Sequence, residues 1–357
     1  IKDMASQLAE KTGGHVFPAV AIANKLIRNN HKIVLIGTDS EIEKKAYEKF
    51  DSQFYQLSIE GFRGKNLYRQ FLVILQVFTN IFRVLKIIKK EKINGMIGFG
   101  GFISVPSGIA CWIKNIPIFI HEQNAVMGSA NKLLSNFSKI NFLGFKINKL
   151  NNSVFTGNPI RDSFFNIKNG NKSEDKKIKI YITGGSQGAN YINENIPVAL
   201  KSFPSNIEIK HQCGINHLRK VKTYYDSMNI HVEVSEFYDN PENVIKWSDF
   251  VISRAGALSL SEIISLGRGV LMIPLSNAID NHQVENAKNI QDINLGIMHE
   301  EKDGLESLIA KIKDIIESKK FIDWKDSKSM LHMNASKTIV NHCLLYTSPS
   351  PRDIGES

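Results

Sequence analysis

Between residues 253 and 287 the chain reads Ser-Arg-Ala-Gly-Ala-Leu-Ser-Leu-Ser-Glu and, after an apolar stretch, Asp-Asn-His-Gln-Val-Glu-Asn-Ala. The small residues up to Gly256 suit a loop that opens a helix with Ala257, Leu258, Ser259, Leu260 and Ser261. A helix N-terminus offers unpaired N–H groups and the positive end of a dipole, which is a seat for an anion. Glu262, just inside that helix, can accept hydrogen bonds from a pair of sugar hydroxyls. With the amide of Gln283 on the returning loop, the set suits a nucleotide-sugar. Ser259-x-x-Glu262 also fits a capping box, which needs no ligand.

A second group opens the chain. Thr12-Gly13-Gly14-His15 precedes a helical pattern at Ala19, Ile22, Ala23, Leu26 and Ile27, with Pro18 suited to the first helical turn. Paired glycines let a phosphate or sugar approach the backbone closely. His15 at the mouth of that loop suits a general base near neutral pH, although a solvated or capping histidine has the same signature. Asn124, in His-Glu-Gln-Asn, offers an amide for hydroxyl recognition or for its own turn. Arg161 follows Gly-Asn-Pro-Ile and suits an anion or a solvated surface.

Alternation of apolar strands and helices must carry these groups. Strands are expected at Lys32–Gly37, Asn94–Gly98, Ile116–Ile120, Ile178–Thr183, Ile207–His211, Val232–Phe237, Phe250–Ser253 and Gly269–Pro274. Helical patterns separate most of them, which implies α/β architecture with doubly wound parallel sheets. Ligands in such sheets lie beyond the C-terminal strand ends. The loop with Gly98, Gly100 and Gly101 ends one strand there, and Gly184-Gly185-Ser186-Gln187-Gly188 ends another. The latter is a turn that can cradle a diphosphate, with the Ser186 hydroxyl as donor.

At 357 residues the chain suits two domains. The expected division is 1–160, 161–330, a returning helix over 331–343, and a foreign tail over 344–357 that resembles translated adapter sequence. The polar stretch 166–177 marks the join. Lys and Arg number 45 against 35 Asp and Glu, a net charge of +10, which suits an anionic partner. Cys111, Cys213 and Cys343 are scattered, against a disulfide framework or a zinc site. No metal site is expected, as no D-x-D pattern occurs, and no cofactor is expected, as the Gly-rich turn is not G-x-G-x-x-G and no Asp or Glu is placed for a nicotinamide-nucleotide ribose. No run of eighteen apolar residues is found, so no membrane span is expected. Residues 67–93 instead read as a basic amphipathic helix. Leu75, Phe78 and Phe82 lie on its apolar face, suited either to core packing or to an anionic membrane surface.

Together, Thr-Gly-Gly-His-x-x-Pro-Ala, Gly-Phe-Gly-Gly-Phe, His-Glu-Gln-Asn-Ala, Gly-Asn-Pro-Ile-Arg, Gly-Gly-Ser-Gln-Gly-Ala, Ser-Arg-Ala-Gly-Ala-Leu-Ser-x-Ser-Glu and Asp-x-x-Gln occur in order. Over residues 12–343 the chain resembles the MurG family of bacterial N-acetylglucosaminyl transferases. The resemblance implies a GT-B fold, two Rossmann-like domains facing across a cleft. It implies inverting transfer of N-acetylglucosamine from UDP-N-acetylglucosamine to lipid I, the undecaprenyl-linked muramoylpentapeptide, forming lipid II for peptidoglycan. Thr12, Gly13, Gly14, Asn124, Arg161, Ser186, Tyr238, Ala257 to Glu262 and Gln283 match donor-binding positions. His15 matches the candidate base, and Gly98, Gly100 and Gly101 the acceptor-diphosphate loop. A peripheral place on the cytoplasmic face of the plasma membrane is implied too, with other cell-wall synthesis proteins as partners. The chain departs from the family before Thr12, where Glu10-Lys11 stands in place of glycines and residues 1–9 make a poor strand.

Two rival readings are weaker. A GT-B transferase with another lipid acceptor, of diacylglycerol type, does not account for the Gly-Phe-Gly-Gly and His-Glu-Gln-Asn loops. A basic nucleic-acid-binding module would interleave aromatics with a Lys/Arg stripe, which this chain does not do, so no nucleic acid partner is expected.

Overall fold

The structure, a computed structural model, describes residues 2–59, 66–165, 167, 177–203, 207–226, 231–276, 281–326 and 330–347. The side chains of residues 2–13 lie outside that description, as does most of the polar stretch expected to join the domains. The chain divides into two compact units. One comprises residues 15–123, 127–159 and 334–357, the other residues 1–14, 124–126 and 160–333.

The chain begins with α1 (Lys2–Arg28), whose residues from His15 on belong to the first unit and which corrects the expected glycine loop before Pro18. Thr12, Gly13 and Gly14 lie within this helix, and so does Pro18. Residues 4–11 are rich in Ala, Gln, Leu, Glu and Lys, all good helix formers, and the helix continues through the glycines. Pro18 has no N–H to offer the carbonyl of Gly14.

Next come β1 (Val34–Gly37), α2 (Glu41–Tyr47), β2 (Gln53–Gln56), α3 (Leu67–Glu91), β3 (Met96–Gly98), α4 (Ser104–Ile113), β4 (Ile118–Glu122), α5 (Ser129–Leu134), β5 (Ile140–Leu143) and β6 (Ser153–Phe155). Strands β3 to β6 form a parallel four-stranded sheet in sequence order, and β1 and β2 a separate parallel pair. Side chains on β4 alternate between two helical layers. Ile118 and Ile120 pack with Val84 and Ile88 of α3 and with Ala110 and Cys111 of α4. Phe119, on the opposite face, packs with Phe142, with Ile22 of α1 and with Ile339 and Val340 of the C-terminal helix. Each such fully buried side chain contributes about 1.5–3 kcal/mol.

The second unit runs β7 (Ile178–Thr183), α6 (Asn190–Leu200), β8 (Ile207–Gln212), α7 (Leu218–Asp226), β9 (His231–Ser235), α8 (Pro241–Trp247), β10 (Phe250–Ser253), α9 (Ala257–Ser265), β11 (Gly269–Met272), α10 (His282–Asp292), β12 (Gly296–Met298), α11 (Gly304–Glu317) and α12 (Lys320–Asp326). Its six strands are ordered β12-β11-β10-β7-β8-β9 and all pair in parallel. Strands β10 and β11 are buried throughout, as expected of apolar runs covered on both faces. Strand order reverses between β7 and β10, so the loops after these two strands flank the switch point where such sheets bind ligands.

The last helix, α13 (Leu331–Thr347), overruns the tail expected from residue 344. Leu344 packs beside the Phe119 cluster, and the Tyr346 ring meets Phe119 edge-on at 5.9 Å. Apolar contact on that face is enough to continue the helix. Residues 348–357 lie outside the described residues.

Candidate active site

At the switch point of the second unit, β7 ends in Gly184–Gly188 and β10 ends in Arg254–Gly256. The glycine turn is tight because Gly188 approaches β8. A Cβ on Gly188, whose φ is +73°, would stand 2.1 Å from the Cys213 carbonyl oxygen. Inside this turn the Ser186 hydroxyl is buried and has no hydrogen-bond partner among the described residues. Helix α6 follows with Ala189 at its cap and no side chain capping it. Helix α9 is likewise capped by Gly256 with no side-chain hydrogen bond. Both helix starts therefore leave main-chain donors at the switch point that no cap side chain satisfies.

The capping-box alternative for Ser259 and Glu262 is thereby overturned. Gly256 is the N-cap, Ser259 is exposed one turn into the helix, and Glu262 turns to Arg161. Arg161 Nε donates to one carboxylate oxygen at 2.8 Å and Nη2 to the other at 2.9 Å. A bidentate fork of this kind fixes the carboxylate plane while leaving each oxygen a second lone pair. The Arg161 guanidinium also covers the Phe164 ring at 5.2 Å. Leu260 and Ser261 are buried, with Ser261 bonding back to the Ala257 carbonyl, so these two support the helix from within. Ala257 is buried and Leu258 half-buried at the helix start. Gln283, in the first turn of α10, accepts from the Leu275 N–H at 3.0 Å. Tyr238 follows β9, and its ring meets Tyr181 edge-on at 6.0 Å.

In the first unit His15 is exposed on α1 and its ring lies against the Gly100–Gly101 turn. A Cβ at Gly100, whose φ is +97°, would come within 2.9 Å of His15 Cε1, so only glycine admits the ring there. The Ser104 hydroxyl pins the same turn by donating to the Gly100 and Gly101 carbonyls at 2.5 and 2.9 Å. Gly98 ends β3. His15 and the Gly98–Gly101 loop are thus brought together in one place.

Residues 12–142 match the glycosyltransferase family 28 N-terminal domain and residues 179–342 the family 28 C-terminal domain. The UDP-N-acetylglucosamine–N-acetylmuramyl-(pentapeptide) pyrophosphoryl-undecaprenol N-acetylglucosamine transferase of Psychromonas ingrahamii is 35% identical over 284 residues, 79% of this chain and 80% of that protein. The enzyme of the same name from Neisseria gonorrhoeae is 30% identical over 329 residues, covering 91% and 93% of the two chains. The chain belongs to the MurG family. The crystal structure of Acinetobacter baumannii MurG superposes with a TM-score of 0.78 at 27% identity, over 94% of this chain and 97% of that one. The fold is accordingly GT-B, two α/β domains of parallel sheet.

Within this MurG-family framework three side chains matter that their sequence positions did not advertise. Asn286, fully buried on α10, donates to Asn124 Oδ1 and to the Ala255 carbonyl, both at 3.1 Å, and accepts from the Ala125 N–H at 2.8 Å. It thus fixes the Asn124 amide. Gln123 bonds His15 at 3.1 Å. Arg254 bridges Glu301 and the Ile273 and Pro274 carbonyls, bracing the loop after β10. Only the last had a hint, an arginine inside a small-residue loop.

Helix α3 presents two apolar stripes. Val73, Ile81, Val84, Ile87 and Ile88 are buried, whereas Leu75, Phe78 and Phe82 are 45%, 55% and 66% exposed. Residues 70–91 are long and apolar enough to cross a membrane by length and composition, which corrects the expectation that no segment is. Leucine and isoleucine on both faces, rather than an unbroken apolar run, produce that result. Among the described residues no group of His, Cys, Asp and Glu is arranged to hold a metal ion.

Proposed function

We propose that this chain transfers N-acetylglucosamine from UDP-N-acetylglucosamine to lipid I, making lipid II for peptidoglycan, and that the residues above carry the reaction. Membership of the MurG family supports the substrates. The observation that carries the site is the switch point itself, where two helix starts without a side-chain cap and a Ser186 hydroxyl with no partner among the described residues offer hydrogen-bond donors.

The uridine ribose hydroxyls donate to the remaining lone pairs of Glu262, and the diphosphate lies on the Gly184–Gly188 turn at the start of α6. Asn124 and Gln283 supply amides for sugar hydroxyls. His15 takes the proton from the acceptor hydroxyl as its oxygen attacks the anomeric carbon. The bond from that carbon to the UDP oxygen breaks, and its electron pair leaves on the diphosphate. Helix-start N–H groups and Ser186 stabilise this charge in place of a metal. One displacement inverts the anomeric centre.

Helix α3 lays its exposed stripe on an anionic bilayer, with Phe78 and Phe82 inserted and Arg83, Lys86, Lys89 and Lys114 at the headgroups. The buried stripe belongs to the domain core, which favours lying on the membrane over crossing it. That surface is the cytoplasmic face of the plasma membrane. The test is incubation of labelled UDP-N-acetylglucosamine with a short-chain lipid I analogue. A disaccharide product with a β linkage is expected, and free N-acetylglucosamine without a disaccharide would refute the reading.

A further inference from the structure

Gln123 is 2% exposed and stands between two histidines. Its amide nitrogen lies 3.0 Å from the Phe99 carbonyl oxygen, 3.2 Å from the His121 carbonyl oxygen and 3.2 Å from His121 Nδ1. Carbonyls only accept, so this end of the amide must be the NH2. One hydrogen serves Phe99, and the other is shared between the two His121 acceptors. The opposite end, Oε1, faces His15 Nδ1 at 3.1 Å. An amide oxygen cannot donate, so the hydrogen in that bond sits on His15 Nδ1.

His121 makes the order one-way. Its Nε2 lies 3.2 Å from the Gly157 carbonyl oxygen and must donate to it, which leaves Nδ1 as a lone pair for Gln123. The ring is fully buried, and burial lowers its pKa to about 4, so it stays neutral. The Gly100–Gly101 turn lies close against the His15 ring, where a Cβ on Gly100 would come within 2.9 Å of Cε1. A histidine's tautomer is set by the hydrogen bond its other nitrogen makes.

We propose that Gln123, ordered by His121, is a positioning residue that holds neutral His15 as the Nδ1–H tautomer and presents the Nε2 lone pair as the base. This rests on the reading of His15 as the base. Without the amide, part of the population carries its proton on Nε2, where it cannot accept the acceptor's proton.

The test is nitrogen-15 NMR of the full chain with labelled histidine, the His15 signals being assigned by their loss in His15→Ala. In the neutral state a protonated Nδ1 and a bare Nε2 are expected. A predominantly protonated Nε2 in the unsubstituted protein overturns the proposal, and this reading needs no variant to fold. Gln123→Met, similar in volume but without a comparable acceptor, is expected to mix the tautomers. Its kcat should fall on the order of tenfold to a hundredfold while the KM for UDP-N-acetylglucosamine stays within about twofold. An unchanged kcat with mixed tautomers overturns the positioning role. An unchanged rate in His15→Ala, with the Nδ1–H form observed in the unsubstituted protein, instead sinks the base reading and leaves the tautomer assignment standing.

Discussion

Ser186 has a buried hydroxyl with no hydrogen-bond partner among the described residues. Such a group costs about 1–3 kcal/mol unless a ligand satisfies it. Ser186→Ala is therefore expected to leave unfolding stability unchanged or slightly raised. Calorimetric titration should show weaker UDP binding, on the order of tenfold, with uridine binding nearly unaffected. Equal losses for UDP and uridine would remove Ser186 from the phosphate site. Glu262→Gln keeps the shape and loses the charge that Arg161 holds and that the proposed reading gives to two ribose hydroxyls. Affinity for UDP should fall by about 1–3 kcal/mol, with a smaller loss for 2′-deoxy-UDP. Much of this was legible in residue types: a carboxylate just inside a helix start, a serine in a glycine turn, a histidine beside glycines. Their partners were not. Arg161 and Glu262 are 101 positions apart, as far beyond local pattern as the 108 between His15 and Gln123. The Ser259–Glu262 spacing also misleads, because a capping box is defined by where the helix begins, and Gly256 begins it.

Among the elements, strands covered on both faces were the most legible, since Phe250–Ser253 and Gly269–Met272 are short apolar runs bounded by polar or small residues. Helix α1 was the least legible. Gly13-Gly14 and Pro18 signal a loop, yet the surrounding residues favour helix. Packing between elements is similarly silent in sequence. Gly269 opens β11 directly against the Trp324 ring of α12, where a Cβ would lie 2.0 Å from the ring. Gly269→Ala is expected to lower stability by about 1–3 kcal/mol, read as a reduced denaturant midpoint at unchanged slope. An unaltered midpoint would mean α12 shifts freely. For α3, Phe78→Ser with Phe82→Ser should abolish most co-sedimentation with anionic liposomes while catalysis on a soluble acceptor analogue persists. Undiminished co-sedimentation would place the contact elsewhere.

For the whole molecule, the net charge of +10 and the basic end of α3 suit an enzyme whose acceptor is held at an anionic surface. The core also sets an acid limit. His121 and His211 are buried and neutral, with burial lowering their pKa values from 6.5 to about 4 and about 3. Below pH 6.5 the unfolded chain binds protons that the folded chain refuses, so stability should fall as pH drops from 6.5 toward 4. A thermal midpoint flat across that window would contradict the buried, neutral state of these rings. The proposed reaction is one chemical event, displacement of UDP by an acceptor hydroxyl that His15 deprotonates. The most direct measurement is UDP release from UDP-N-acetylglucosamine with and without a short-chain lipid I analogue, for the chain and for His15→Ala. Release that depends on the acceptor, and that falls on the order of a hundredfold or more in the variant, is the expected result. Acceptor-independent release, or an equal rate in His15→Ala, would contradict it.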